Sequence, residues 1–307
     1  MKNSLILHHY DFSPYAEKIR LMLGLTNMHW YSSLTSVKPP RATVDPLTGG
    51  YRRIPVAQIG ADIFCDSALI ADELSDLANE PSLDVNQLDD QSKALMDKAE
   101  KEAFFAAVGA VPPLRILGTM LRSFGPLGMY RFAKDRESLM QGGTVRPPKG
   151  DRAVKIIHSL LDELEARLQH QPWIAGDKPS IADFATYHPL WLHVFCSRRE
   201  LNAGPKVKDW YQRVTQIGHG NSEQISQNQV FNIARESEPR PLPNEESTKP
   251  ELVGKSVTVA PSDYGIVPVE GILVACSDKR IVLARESKDL GLLHVHFPRA
   301  GYSLSDS

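Results

Sequence analysis

Short apolar runs alternate with amphipathic stretches over the first eighty residues. Leu5, Ile6 and Leu7 suit a buried strand, and Ile19, Leu21, Met22, Leu23 and Leu25 then cover one broad face at helical spacing. Between them, Ser13 is a preferred N-cap residue and Pro14 fits the first helical position, so the spacing predicts a helix opening at that point. His29 to Leu34 reads as a second short strand. Residues 37–53 carry Pro39, Pro40, Pro46, Gly49 and Gly50, too much punctuation for a regular element. Val56 to Ile59 and Asp62 to Cys65 read as a tight hairpin about Gly60 and Ala61, and Asp66 or Ser67 caps a helix through Ile70, Leu74 and Leu77. The predicted order is strand, helix, strand, hairpin, helix.

From Ser92 the period becomes helical, with Leu95, Met96, Ala99, Ala103 and Ala107 at three- and four-residue steps. Residues 111–150 mix apolar residues with many glycines and prolines, which predicts short helices rather than one long one. A stripe from Val154 to Leu168 restores the helix. Ser180 with Asp183 then makes a capping arrangement whose Asp183 is expected to fix the fold rather than do chemistry, and a helix over Val207 to Ile217 follows. Residues 235–250 are rich in Pro and Glu and read as a tether. In 251–307 the period changes again: SVTVAP, VEGILVAC, RIVLAR and LLHVHF are β-branched runs of a small antiparallel sheet or barrel. The expected organisation is thus 1–80 α/β, 86–234 all-helical, 235–250 linker and 251–307 small β unit.

Composition narrows the function classes. In 307 residues, 35 basic side chains face 37 acidic ones, so no strong field draws nucleic acid or an anionic membrane. The β tail is as balanced in charge as the whole, which argues against a phosphate-tracking surface and leaves a packing or dimer-bracing role. Cys65, Cys196 and Cys276 lie too far apart for a disulfide framework or a zinc spacing, and the start of the chain has no signal-peptide pattern; a reducing cytoplasm is the expected compartment. The histidines form no recognised metal pattern, although His294 and His296 alternate on one strand, and no metal is expected.

Three motifs in order, Ser13-Pro14-Tyr15, Ile54-Pro55-Val56 and Asp66-Ser67, give the first 80 residues a resemblance to the glutathione transferase family, and the capped helix at Ser180 extends it. The resemblance implies a thioredoxin-like N-terminal domain, a helical second domain, glutathione as co-substrate, an apolar electrophile as its partner, and a homodimer. The tail lies outside it. Glutathione's thiol titrates near 8.5, so an enzyme must stabilise the thiolate; a hydroxyl at a helix N-terminus does this. The resemblance implies Ser13 in that role, with Tyr10 as the local rival. It implies further that the backbone at Ile54, set by Pro55, pairs with the cysteinyl unit, that Asp66 and Ser67 receive the γ-glutamyl end, and that Arg53 meets the glycyl carboxylate, with Lys38 or Arg41 as alternatives. Asp66 stands where the family more often has Glu. Phe104, Phe105, Leu114, Met120 and Tyr130 are possible walls for the electrophile, though their spacing suits a core equally well. Glutaredoxins resemble the same turn but carry cysteines there, and this chain has Ser13 and Ala16, which excludes dithiol exchange. An enzyme activating glutathione and a non-catalytic binding or scaffold protein on the same fold are both compatible with these residues.

Overall fold

The computed structural model describes residues 4–242 and 246–306. Its first unit is built from β1 (Ile6–His9), α1 (Pro14–Thr26), β2 (His29–Leu34), α2 (Val44–Thr48), β3 (Val56–Ile59), β4 (Asp62–Cys65) and α3 (Ser67–Ala78). β1 pairs parallel with β2 and antiparallel with β3, which pairs antiparallel with β4. This is the α/β order read from the sequence, with one addition: the five-residue α2 lies inside the stretch expected to be irregular. Side chains alternate across the sheet as a two-residue period requires. Leu5, Leu7, Ala57 and Phe64 face a core shared with α1 and α3, while Ile6, Val56, Ile63 and Cys65 face a second core on the opposite side.

The helical unit follows as α4 (Asp90–Lys98), α5 (Phe104–Gly109), α6 (Pro113–Met140), α7 (Gly150–Arg167), α8 (Ile181–Ser197) and α9 (Pro205–Ile217). Between α4 and α5 the chain makes a π-helical turn, Ala99–Ala103. α6 is two helices in series, broken at Gly125 by φ 65 and ψ 176 just before Pro126, in keeping with the short helices expected there. α8 opens on the capping box of Ser180 and Asp183. Asp183 accepts bonds from the amides of Ile174 and Ser180, the Ser180 hydroxyl and Trp210 Nε1, all at 2.8–2.9 Å. It therefore ties α8 to α9 and to the preceding loop, the structural role its spacing suggested. Among the described residues no single helix is long and apolar enough to cross a membrane.

The chain then returns to the first unit. β5 (Asn221–Gln224) adds parallel to β2, and α10 (Gln227–Arg235) lays Val230, Ile233 and Ala234 into the second core. The tail forms β6 (Ser256–Pro261), β7 (Val269–Cys276), β8 (Arg280–Ser287), β9 (Gly291–Pro298) and β10 (Tyr302–Asp306), an antiparallel sheet as the pattern predicted. Its β9 pairs parallel with β4, so all ten strands join in one sheet ordered β10-β6-β7-β8-β9-β4-β3-β1-β2-β5. Leu293, Val295 and Phe297 extend the second core, and the tail thereby covers the edge that β4 would otherwise leave open. Pro243 to Glu245, within the expected tether, lie outside the described residues. Arg240, ahead of them, is held: its amide donates to Asp62 at 2.9 Å and its guanidinium pairs with Glu73 at 2.6 Å.

Candidate active site

Helix α1 begins where the sequence placed it. Ser13 Oγ accepts from the amide of Ala16 at 3.3 Å, and Pro14 occupies the first turn. Ser13 is 1% exposed. Oxygen is used as a cap, and among the described residues the hydroxyl proton has no protein acceptor, so it remains available to donate. Tyr10 packs its ring 4.9 Å from that of Phe12.

A cavity of about 340 Å³ lies beside this turn, and Tyr15 and Lys18 of α1 line it with Arg53, Ile54, Pro55, Asp66 and Ser67. Five of the six site residues expected from the sequence therefore meet in one cleft; Ser13 is two residues from Tyr15 but is not part of the lining. The volume falls in the range of small-molecule sites. The helical unit supplies the facing side through Glu100, Lys101, Phe105 and Val145.

Asp66 is the hinge of this cleft. It caps α3 by accepting from the amide of Ala68 at 3.0 Å, with φ 81 at its own backbone. Its other oxygen accepts from Tyr302 Oη at 2.9 Å and from Arg53 Nη1 at 3.4 Å. Tyr302 in turn bonds Tyr51 Oη at 2.6 Å, so a β10 residue supports the α3 N-terminus. Lys18 pairs with Glu100 at 2.7 Å across the two units. Burial pushes the Tyr15 phenol well above its usual range. Tyr15 thus stays neutral at any physiological pH.

The alternatives for the glycyl carboxylate stand elsewhere. Lys38 is exposed and does not line the cavity. Arg41 is buried, its guanidinium donating to the carbonyls of Ser36, Val37 and Arg52 at 2.9–3.0 Å, which makes it the brace of the loop before α2. Of the candidate wall residues Phe105 lines the cavity, whereas Leu114 and Tyr130 are 82% and 63% exposed. Asp263 and Tyr264, between β6 and β7, are site residues that sequence reasoning did not find. The only signal was a Ser-Asp-Tyr-Gly turn, which does not say what it packs on.

Asp62, His294 and His296 bring one donor atom each within 4.8 Å of one another. His296 Nε2 lies 2.8 Å from Asp62 Oδ1, and Arg240 Nε is 3.5 Å from Asp62 Oδ2. Burial would raise the Asp62 carboxyl, but the bonds from His296 and the Arg240 amide outweigh it and hold it below its ordinary value. A guanidinium already on the carboxylate disfavours a second cation there, so the group reads as a staple between β4 and β9.

Two family models match the chain: glutathione S-transferase, N-terminal domain, over residues 7–82, and glutathione S-transferase, C-terminal domain, over residues 147–213. A solved GST-like protein from Pseudomonas syringae is 31% identical, with 99% of this chain and 100% of that chain covered and a TM-score of 0.76. The chain belongs to the glutathione S-transferase family. A glutathione S-transferase from Rhodospirillum rubrum is 18% identical over 69% of this chain and 87% of its own, TM-score 0.46. Rice GST1 in complex with glutathione is 14% identical over 75% and 95%, TM-score 0.48. No curated protein matches significantly. The likeness to the Pseudomonas syringae protein takes in nearly the whole chain, tail included.

Proposed function

We propose that the protein binds glutathione in the cleft between α1, the Ile54-Pro55 turn and the α3 N-terminus, and stabilises its thiolate for attack on an apolar electrophile. The observation that carries this reading is the convergence of Arg53, Ile54, Pro55, Asp66 and Ser67 on one cavity beside the N-terminus of α1. Ile54 offers backbone to the cysteinyl unit; Ser67 and the first amides of α3 suit a carboxylate; Asp66 suits an ammonium. Ser13 donates its free hydroxyl proton to the sulfur, and the α1 dipole adds to the effect. No step requires a metal: holding both reactants together supplies the remainder of the rate. The reading includes a cytoplasmic homodimer. Support for the compartment comes from Cys65, Cys196 and Cys276, all buried and unpaired.

Turnover of an aromatic halide with glutathione tests the activity, with Ser13→Ala and Tyr15→Phe alongside. The expected result is a loss of about tenfold to a thousandfold in kcat for Ser13→Ala. An unchanged Ser13→Ala with an impaired Tyr15→Phe transfers the role to Tyr15. A second reading, binding without turnover, is favoured by one observation, the 1% exposure of Ser13. Calorimetric binding of glutathione with no turnover of any electrophile would establish it.

A further inference from the structure

The one guanidinium lining the cleft among the described residues, that of Arg53, is already occupied. Arg53 Nη2 pairs with Asp263 Oδ1 in close contact, and Nη1 lies 3.4 Å from Asp66 Oδ2. Nε and Nη2 also donate to the Tyr264 carbonyl at 3.2 and 2.6 Å, and the Tyr264 ring covers the guanidinium at 4.0 Å. Arginine has five N–H donors in a fixed fork, and a carboxylate is best bound by two of them together. No such free pair remains on Arg53.

The corner that occupies Arg53 is fixed from both sides. Thr144 donates its amide to the Asp263 carbonyl at 2.8 Å, and the Gly265 amide donates to Leu139 at 2.7 Å. A Cβ on Gly143 would lie 2.2 Å from that same Asp263 carbonyl, so α6's C-terminal connection is pressed against the tail. Tyr264 meets Phe105 edge-on at 5.7 Å. Of the other cations lining the cleft, Lys18 is held by Glu100 at 2.7 Å, while Lys101 pairs with Asp97 at 2.8 Å in an exposed surface contact.

We propose that Asp263 and Tyr264 of the C-terminal extension form a permanent wall of the cleft that neutralises Arg53 from within, so that the thiol ligand presents an uncharged group there. This deepens the glutathione reading and rests on it. The ligand class is then a γ-glutamyl thiol whose far end carries no free carboxylate, such as a C-terminally esterified or amidated form. Asp263 is the residue that sets this preference.

The test compares binding of glutathione and its glycyl monoethyl ester by calorimetry, in the full chain and in Asp263→Asn. Expected is equal or tighter binding of the ester by the unaltered protein, and a shift of about tenfold toward the free acid in Asp263→Asn, equivalent to about 1.4 kcal/mol. Should Asp263→Asn not fold, the ratio measured on the unaltered protein decides alone. A tenfold preference of the unaltered protein for the free acid, or a ratio unmoved by Asp263→Asn, overturns the proposal while leaving glutathione binding in place. Absence of binding of either compound at millimolar concentration overturns both.

Discussion

Asp183 and Ser13 show what a single polar side chain does in this molecule. Both were legible as caps because a hydroxyl or carboxylate ahead of a helix has few better uses. Asp183 collects four donors in a buried place. Replacing it with Ala strands them, and each buried unsatisfied donor costs about 1–3 kcal/mol. Partial relaxation brings the expected loss for Asp183→Ala to about 3–5 kcal/mol, to be read by denaturant unfolding; a loss under 1 kcal/mol would contradict the assigned role. The partners of Arg53 were not legible, since Asp263 is 210 positions away in sequence and its contact depends on the tertiary path of the tail. The same limit applied to Arg41: a cation in a loop looks solvated until three carbonyls are seen to converge on it.

At the scale of elements, β9 and α6 carry the consequences. The alternation in β9 was readable, and so was its strand character; what the period could not reveal was which edge it joins, because register is set by a partner remote in the chain. β5, Asn221–Gln224, was not readable at all, as its four residues are polar and exposed and only the open edge of β2 makes a strand of them. Phe297 is buried in the second core, meeting Tyr51 edge-on and Tyr302 at a tilt, each with ring centroids 5.8 Å apart. Phe297→Ala is expected to lose about 3–5 kcal/mol and, because Tyr51 and Tyr302 sit under Asp66, to weaken ligand binding as well. Stability lost with unaltered ligand affinity would separate the tail from the site. In α6, Gly125 holds φ 65 and ψ 176, a region open essentially to glycine alone. Nothing lies within 4 Å of a Cβ placed there, so the cost of Gly125→Ala is backbone strain only. A thermal melt should report about 1–3 kcal/mol, whereas a neutral substitution would show that α6 can straighten.

The whole molecule is a single sheet with a core on each face, and the two histidines that end β1 sit where those layers meet. His8 Nε2 bonds Gln58 Oε1 at 3.2 Å while its Nδ1 has no partner among the described residues. His9 Nδ1 faces the Arg20 guanidinium at 3.0 Å, which can only donate, so Nδ1 accepts and Nε2 donates to Ser32 Oγ. Burial lowers the His8 imidazole from 6.5 to about 4; burial, followed by the Arg20 charge, lowers His9 to about 3. In the unfolded chain both groups protonate near 6.5, so below that pH the unfolded state binds more protons than the folded one and stability falls with pH. Above 6.5 both states are neutral and neither residue contributes. Between pH 6 and 4 each contributes a slope of up to about 1.4 kcal/mol per pH unit, about 2.7 for the pair. Asp62 titrates outside this window: its depressed carboxyl adds stability that is lost only once the pH drops past the ordinary carboxylate range. Unfolding free energy should therefore be flat from pH 8 to 7 and decline steeply from 6 to 4, and His8→Gln, which keeps a donor for Gln58, should remove about one proton from the slope. Because burial also lowers His188, His294 and His296 and raises Asp72 and Asp183, the variant decides: a slope between pH 6 and 4 that His8→Gln leaves unmoved would mean that the His8 imidazole is charged in the folded protein, and its neutral packing in β1 between the two cores would have to be abandoned.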